Sequence, residues 1–231
     1  MKKIFGFLLI SLIIPEYLLS QGSQKITIDN NKASAEQINP EFQQIFPDFR
    51  SARIYYKAMR PIGCKANYNF LFDEILFLNE KGEKMALANP ERLLHVIIDN
   101  RMFVPSNKGY FEVIESGDVS LLYKWVCRIR ETRKQGALGL STAAPSVYQM
   151  NRISFDSKEW KMEVDKEALA SVEVIPYLKA KTNYISVKGP QSLMKAFRGK
   201  NSEIKDYLDK NPVDFKNEAD LRRIIKYCNS L

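Results

Sequence analysis

Two adjacent carboxylates stand in the stretch NYNFLFDEILFL, residues 67–78, where most other side chains are apolar or aromatic. Two carboxylates in a dry pocket could act as general acid and general base, as in glycoside hydrolysis. However, the stretch is rich in aromatic residues and ends in the turn sequence NEKG, which predicts one strand over 68–78. Because successive side chains of a strand point to opposite faces, Asp73 and Glu74 cannot then serve one substrate together.

Both faces of this predicted strand are largely apolar, which predicts a central strand covered on both sides. An unpaired carboxylate is costly to bury, so Asp73 and Glu74 would each need a cation or backbone donors. We therefore treat both residues as structural candidates, and the sequence predicts no catalytic residue.

The sequence lacks the residues that other common catalytic sites require. The chain has one histidine, His95, whereas a zinc site needs three or four ligands and a Ser-His-Asp triad would need this same histidine. The stretch GLSTAAPS lacks the Gly-x-Ser-x-Gly pattern, and GALGLS lacks the spacing and the lysine of a phosphate-binding loop. The sequence therefore predicts no metal and no cofactor, while a carboxylate-dependent hydrolase stays open.

The stretch YKWVCRIRETRK, residues 123–134, has the mixture of cations and aromatics that nucleic-acid-binding surfaces use. Its period-two alternation predicts a half-buried strand with Trp125 facing the core. Lys124, Arg128 and Arg130 then fall on the other, solvated face. We therefore expect no nucleic acid as partner. The net charge of +8 is spread along the chain, and an anionic glycan or lipid headgroup is the better anionic candidate.

The start of the chain has the order of a secretory signal peptide, predicted over 1–22. Two lysines precede an apolar stretch at 4–14, and a proline and small residues follow. The apolar stretch is shorter than the roughly 20 residues that span a bilayer. We expect cleavage near Ser20 or Gly22 and an exported protein, periplasmic or secreted, without a transmembrane anchor.

The rest of the chain predicts an α+β fold. Residues 23–51 are predicted to be an extended or weakly ordered leader. Residues 52–189 are predicted to form a β-rich domain, with a mobile loop at 132–151 rich in small residues. Turn signals between short aromatic and β-branched runs indicate an antiparallel meander that forms a curled sheet or a partial barrel. Besides 68–78, strands are predicted near 53–58, 84–88, 93–98, 101–105, 110–115 and 119–130.

Residues 190–231 are predicted to be a tail of three short helices. Pro190 suits a first helical turn, and Asn217 suits the N-cap of the last helix. Such short amphipathic helices need a packing partner, and the β-rich domain is the available one. The spacing of Cys64, Cys127 and Cys228 leaves open whether any two of them form a disulfide.

Several segments resemble an uncharacterised family of exported, strand-rich Bacteroidetes-type proteins with a helical C-terminal tail. These segments are ANYNFLFDEILFL, ALANPE, FEVIESGDVSLL and the tail from 202 onward, within a resemblance over 52–231. The chain departs from the family at Cys228, where an aromatic is usual, and before residue 60. The resemblance implies an exported β-rich domain and assigns no catalytic residue. The match is carried, besides the tail, by Tyr68, Asn69, Asp73, Phe111, Gly117, Leu121 and Leu122.

Together these patterns favour an exported, non-enzymatic structural or interaction protein. Its partner is unknown; the candidates are another envelope protein or an anionic glycan or headgroup. Two alternatives remain. The first is a carboxylate-dependent envelope hydrolase, such as a glycoside hydrolase, which requires two carboxylates facing one pocket. The second is a curled β-sheet module that binds a ligand or lipid in an apolar cavity, whereas an exposed apolar patch would favour a protein partner.

Overall fold

The computed structural model of the 231-residue chain describes residues 22–27, 32–131, 147–149, 159–161 and 167–231. The predicted α+β fold class, an antiparallel β-meander followed by a cluster of three helices, is confirmed. Nearly all of the predicted signal peptide and most of the predicted loop at 132–151 lie outside the described residues.

The strands of the described part form one twelve-stranded antiparallel sheet and one two-stranded sheet. The strands are β1 (Ser23–Thr27), β2 (Lys32–Ser34), β3 (Arg50–Tyr56), β4 (Ile62–Asn69), β5 (Glu74–Leu78), β6 (Lys84–Ala86), β7 (Leu93–Ile98), β8 (Arg101–Ser106), β9 (Gly109–Glu115), β10 (Val119–Glu131), β11 (Val147–Gln149), β12 (Glu159–Lys161), β13 (Glu167–Ala180) and β14 (Asn183–Ser186). The helices are α1 (Pro190–Ala196), α2 (Asn201–Lys210) and α3 (Glu218–Ser230).

Two meanders make up most of the large sheet. The first runs from β3 to β6 and the second from β7 to β10. They are joined because β7 returns to pair with β3, which places Val96 opposite Ile54. Strand β13 then pairs with β10 along its whole length, and the path ends at β1 on one side and β6 on the other, so the sheet is not closed. Strand β11 pairs with β10, β14 pairs with β13, and β12 pairs with β2.

The large sheet is strongly curled. Strands β4 and β9 are four steps apart in the strand order, which would separate them by roughly 19 Å in a flat sheet. Yet the rings of Tyr68 on β4 and Tyr110 on β9 have centroids 6.1 Å apart. The ring of Phe70, just after β4, likewise lies 6.0 Å from that of Trp125 on β10. The concave face of the curled sheet therefore holds an aromatic core.

The prediction of one strand over 68–78 is wrong. Strand β4 ends at Asn69, the chain turns through 70–73, and β5 begins at Glu74. The Asn69 side-chain oxygen accepts hydrogen bonds from the backbone N–H groups of Leu71 and Phe72 at 3.0 and 3.1 Å, and such local bonds favour a turn. Asp73 completes the turn with a left-handed φ of 61°. The turn was missed because it is built from apolar residues that are buried in the fold.

Helix α3 is anchored to the turn between β9 and β10. The Asn217 side chain caps its N-terminus by accepting from the Asp220 N–H at 3.1 Å, as predicted from the sequence. At the other end, the Asn229 amide donates to the Val119 carbonyl and accepts from its N–H, at 2.9 and 3.0 Å. The helix therefore supplies hydrogen-bond partners for the backbone N–H and carbonyl of Val119, the first residue of β10. Its buried residues are Leu221, Ile224, Ile225 and Cys228.

The predicted leader, residues 23–51, contains regular structure. Strand β1 pairs with β13 and contributes the buried Ile26. Two short 3-10 helices follow, and Ile38 beside them is buried in the same core.

Candidate functional site

A cluster of buried polar groups lies where β9 and β10 separate. The ladder between these strands pairs Leu121 through Tyr123 and contains a bulge. Beside its end, the Tyr110 N–H donates to Asp73 Oδ1 at 3.0 Å, and the Tyr110 carbonyl accepts from Lys124 Nζ at 3.0 Å. Side chains from the β4–β5 turn and from β10 thus take the place of ladder bonds.

Asp73 and Lys124 form a buried ion pair at this point. Lys124 Nζ lies 2.5 Å from Asp73 Oδ2, and each side chain is 7% exposed. The Tyr68 hydroxyl donates to Asp73 Oδ1 at 2.7 Å, so that oxygen has two donors in addition to the lysine on the other oxygen. The Phe111 ring lies 5.3 Å from Nζ. This dense set of partners offsets the desolvation of two charges.

The solvated face predicted for β10 is therefore wrong at Lys124. Lys124 does point away from Trp125, as the alternation requires, but that face of β10 is covered here. Sequence periodicity could not show the cover because it comes from residues about 50 positions earlier, in the turn that ends at Asp73. Arg128 forms an ion pair with Glu173, and Arg130 is exposed.

Glycine is required at position 109, at the start of β9. Its φ of +86° is strained for other residues, and a Cβ built there would lie 1.5 Å from Asp73 Oδ2 and 2.7 Å from Lys124 Nζ. The ion pair therefore occupies the space that a side chain at position 109 would need.

A second charged pair lies on the concave face. Arg101 donates to both oxygens of Glu112, Nε to Oε1 at 2.6 Å and Nη2 to Oε2 at 2.5 Å, in a bidentate arrangement. The Trp125 indole N–H also donates to Glu112, at 2.8 Å. The guanidinium stacks near the rings of Phe46 and Trp125, at 5.5 and 5.2 Å. Sequence analysis missed this pair because only the β8–β9 register brings the two residues to one face.

Burial shifts the acid–base properties of the groups around these pairs. It raises the pKa of Tyr68 well above 10.0, and the neighbouring Asp73 carboxylate raises it further. Burial also raises the pKa values of Tyr110 and Tyr123. It lowers the pKa of Lys124, although Asp73 acts in the opposite direction. The cluster therefore favours neutral tyrosines and makes the lysine charge less favourable than in water.

Glu74 does not share the position of Asp73. It is the first residue of β5, is half-buried, and pairs with Asn69 across the hairpin. The structure thus brings Asp73 and Lys124 together and leaves Glu74, Arg128 and Arg130 elsewhere.

The three cysteines are all described, and all are free. Burial raises the pKa of Cys127 to about 12 and that of Cys228 to about 11, so both thiols stay protonated near neutral pH. Within the described ranges, no group of three or more His, Cys, Asp or Glu side chains could hold a metal ion. No helix in the described part is long and apolar enough to cross a membrane.

An open cleft of about 450 Å³ lies beside the 3-10 helices. Its lining includes Glu36, Gln43, Asn69, Phe72 and Lys84, and Glu36 is the one carboxylate among the lining residues that the structure describes. The amide of Gln43 is held by a backbone carbonyl at 2.7 Å, and that of Asn69 by the turn. These two amides of the cleft thus have partners within the protein.

Exposed apolar side chains gather at one end of the sheet. Met59 lies in the β3–β4 turn, Ile62 begins β4, and Leu94 lies near the start of β7, which pairs with the end of β3. These side chains are 52%, 42% and 47% exposed. We call this surface the apolar–basic end, because exposed charged residues surround it. They are Lys57, Arg60, Arg92 and Glu91.

No family model, curated protein or solved structure matches the chain. The resemblance to exported, strand-rich proteins therefore remains a prediction from the sequence.

Proposed function

We propose that this chain is an exported, non-enzymatic protein that binds another envelope protein through its apolar–basic end. The observation that carries the proposal is the grouping of Met59, Ile62 and Leu94 at one end of neighbouring strands. Exposed large apolar side chains that gather in a patch with a polar rim are typical of interaction sites. Export is the prediction made from residues 1–22.

The charges around the patch indicate the chemistry of the partner. Lys57, Arg60 and Arg92 outnumber the single acidic residue Glu91, so the complementary surface is apolar at its centre and acidic at its rim. Leu94 lies at the register shift between β7 and β3, and such an irregularity bends the strand locally, which favours a shaped protein surface over a flat lipid layer as the partner. We therefore favour a protein partner over an anionic glycan or headgroup.

The interior polar groups support a structural role for the rest of the molecule. Asp73 and Glu112 are each neutralised by a cation and held by further donors. A hydrolase that uses two carboxylates would need a second one facing Glu36 across the cleft. The cleft is open and its side-chain amides are hydrogen-bonded within the protein, which also gives less support to a ligand- or lipid-binding module.

Crosslinking capture from the native envelope tests the proposal with a matched control. The test chain carries Met59→Ser and Leu94→Ser, and the control carries Met85→Ser, which removes an equally exposed apolar side chain from the edge strand β6. We expect the wild type and the control to capture the same acidic-surfaced protein and the double variant to lose it. Equal capture by all three chains, or binding to vesicles of anionic lipid without any protein partner, would contradict the proposal.

A further inference from the structure

We propose that Lys124 and Asp73 become joined by an intramolecular amide bond that the folded chain forms without an added enzyme. The two reacting groups already touch, with Lys124 Nζ 2.5 Å from Asp73 Oδ2. They approach from segments 51 residues apart in the chain, and both are shielded from water. Contact of this kind corresponds to an effective molarity of about 10⁵ M or more for a well-oriented pair.

The reaction balances without any further reactant. One proton moves from the Lys124 ammonium to Asp73 Oδ2, which gives a neutral amine beside a neutral carboxylic acid. Nζ then attacks Cγ, and a second proton passes from nitrogen to Oδ2. The Cγ–Oδ2 bond breaks and water leaves, while the nitrogen keeps one hydrogen in the new Nζ–Cγ amide.

Asp73 Oδ1 is placed to carry the negative charge of the tetrahedral intermediate. The Tyr68 hydroxyl and the Tyr110 N–H both donate to it, at 2.7 and 3.0 Å. Two fixed donors on the oxygen opposite the leaving group are the arrangement that stabilises acyl-transfer intermediates. The proton transfer that starts the reaction is assisted because burial lowers the pKa of Lys124.

The product fits the same site without rearranged partners. The single N–H left on Lys124 can keep its bond to the Tyr110 carbonyl, and Oδ1 can keep both of its donors. The reaction removes two charges from a buried position, so the free-energy cost of burying them is removed as well. Gly109 leaves the space in which the two groups meet, since any Cβ there would collide with both.

The second buried pair is an internal comparison. Arg101 and Glu112 are also in direct contact, but a guanidinium stays protonated in proteins and offers no neutral nucleophile. We therefore expect an amide bond at Lys124–Asp73 and an ordinary ion pair at Arg101–Glu112.

Tryptic peptide mapping of the purified full chain tests the proposal directly. Asp73 lies in the peptide 66–81, and Lys124 ends the peptide 109–124. An amide bond blocks cleavage after Lys124, so we expect peptide 66–81 joined to 109–128, at the sum of their masses minus one water. Recovery of unmodified 66–81 and 109–124 as separate peptides would overturn the proposal, as would a crosslink from Lys124 to another carboxylate.

Variants keep the test specific to this chemistry. Lys124→Arg retains a cation but cannot form the amide, so the joined species should be absent; its persistence would overturn the assignment. Tyr68→Phe removes one donor to Oδ1 and should slow formation by about a hundredfold, followed as the fraction joined against time after cell-free synthesis. Tyr207→Phe, on helix α2, is the matched control, and equal rates for the two variants would contradict the role given to Tyr68. Failure of this proposal would leave the apolar–basic end, and its own capture experiment, untouched.

Discussion

The two buried ion pairs differ in what their surroundings permit. The guanidinium of Arg101 is 24% exposed, lies between two aromatic rings and grips Glu112 with two parallel hydrogen bonds. Lys124 and Asp73 are each 7% exposed and meet at a single oxygen. If the first pair is broken, the Arg101 side chain can reach water. If the second pair is broken, the remaining charge stays buried. The two pairs therefore have different structural roles. Arg101 and Glu112 link strands β8 and β9, whereas Asp73 and Lys124 bond the backbone of Tyr110 where β9 and β10 separate.

Breaking the enclosed pair should produce the largest effect. Asp73→Ala leaves the Lys124 ammonium and the Tyr110 N–H buried without their acceptor. We expect a loss of about 3–5 kcal/mol in the free energy of unfolding, measured by urea denaturation. Asp206→Ala, at an exposed position of α2, is the control and should change the free energy by less than about 0.5 kcal/mol. Equal effects would show that Asp73 is not buried against Lys124.

Filling the gap without touching either charge should cost nearly as much. Gly109→Ala places a Cβ on the Asp73 carboxylate, so the pair must separate, and we expect a loss of about 3 kcal/mol. Gly82→Ala is the matched control, because Gly82 has a similar φ of +79° but open space around it. Its loss should be about 1 kcal/mol, from backbone strain alone. A thermal or urea series in which the two variants behave alike would contradict the packing described for Gly109.

Breaking the partly exposed pair should cost less. Glu112→Ala frees Arg101 to reach water but leaves the Trp125 indole N–H without its acceptor. We expect a loss of about 2 kcal/mol in the free energy of unfolding. A loss larger than that of Asp73→Ala would reverse the order proposed for the two pairs.

Alkaline pH should weaken the fold gradually. The folded-state pKa values of Tyr68, Tyr110 and Tyr123 lie above the ordinary value of 10.0, so their contribution to stability is complete below pH 10 and is lost above it. In chains whose Lys124 is not joined to Asp73, the pKa of Lys124 is lowered from 10.5, so rising pH up to about that value relieves its burial and opposes the loss. Each group changes the free energy by at most about 1.4 kcal/mol per pH unit.

Three tyrosines outnumber one lysine, so the urea midpoint should fall as pH rises from about 10 to about 12. Tyr68→Phe removes one of the titrating hydroxyls and should make this fall shallower than in the wild type. A midpoint that rises over this range would show that the relief of Lys124 dominates instead.

Local patterns in the sequence predict much of this fold. Alternation over 119–130 marks β10, and turn signals mark most ends of the meander strands. Asn217 and the spacing of Leu221, Ile224 and Cys228 mark α3. These features depend on neighbours within a few residues, and such neighbours are visible in the sequence.

The central contact of the interior could not be predicted in the same way. The sequence shows that a buried Asp73 needs a partner, but the choice of Lys124 depends on the curling of the sheet and on the gap between β9 and β10. The turn at 70–73 also could not be recognised from the sequence. Its apolar residues pack into the core, as strand residues would, and Asn69 supplies the only local turn signal. Long-range geometry, rather than residue type, decides both.

Amide hydrogen exchange at Tyr110 is the most direct test of the joint between the β4–β5 turn and β9. The Tyr110 N–H donates to the Asp73 carboxylate, whereas in a regular sheet it would donate to a backbone carbonyl of the neighbouring strand. Asp73 Oδ1 accepts this N–H both in the ion pair and in the amide, so the N–H should be among the slowest to exchange in the wild type and should exchange much faster in Asp73→Ala. Exchange in the wild type as fast as that of the exposed neighbour Lys108 would contradict the joint itself.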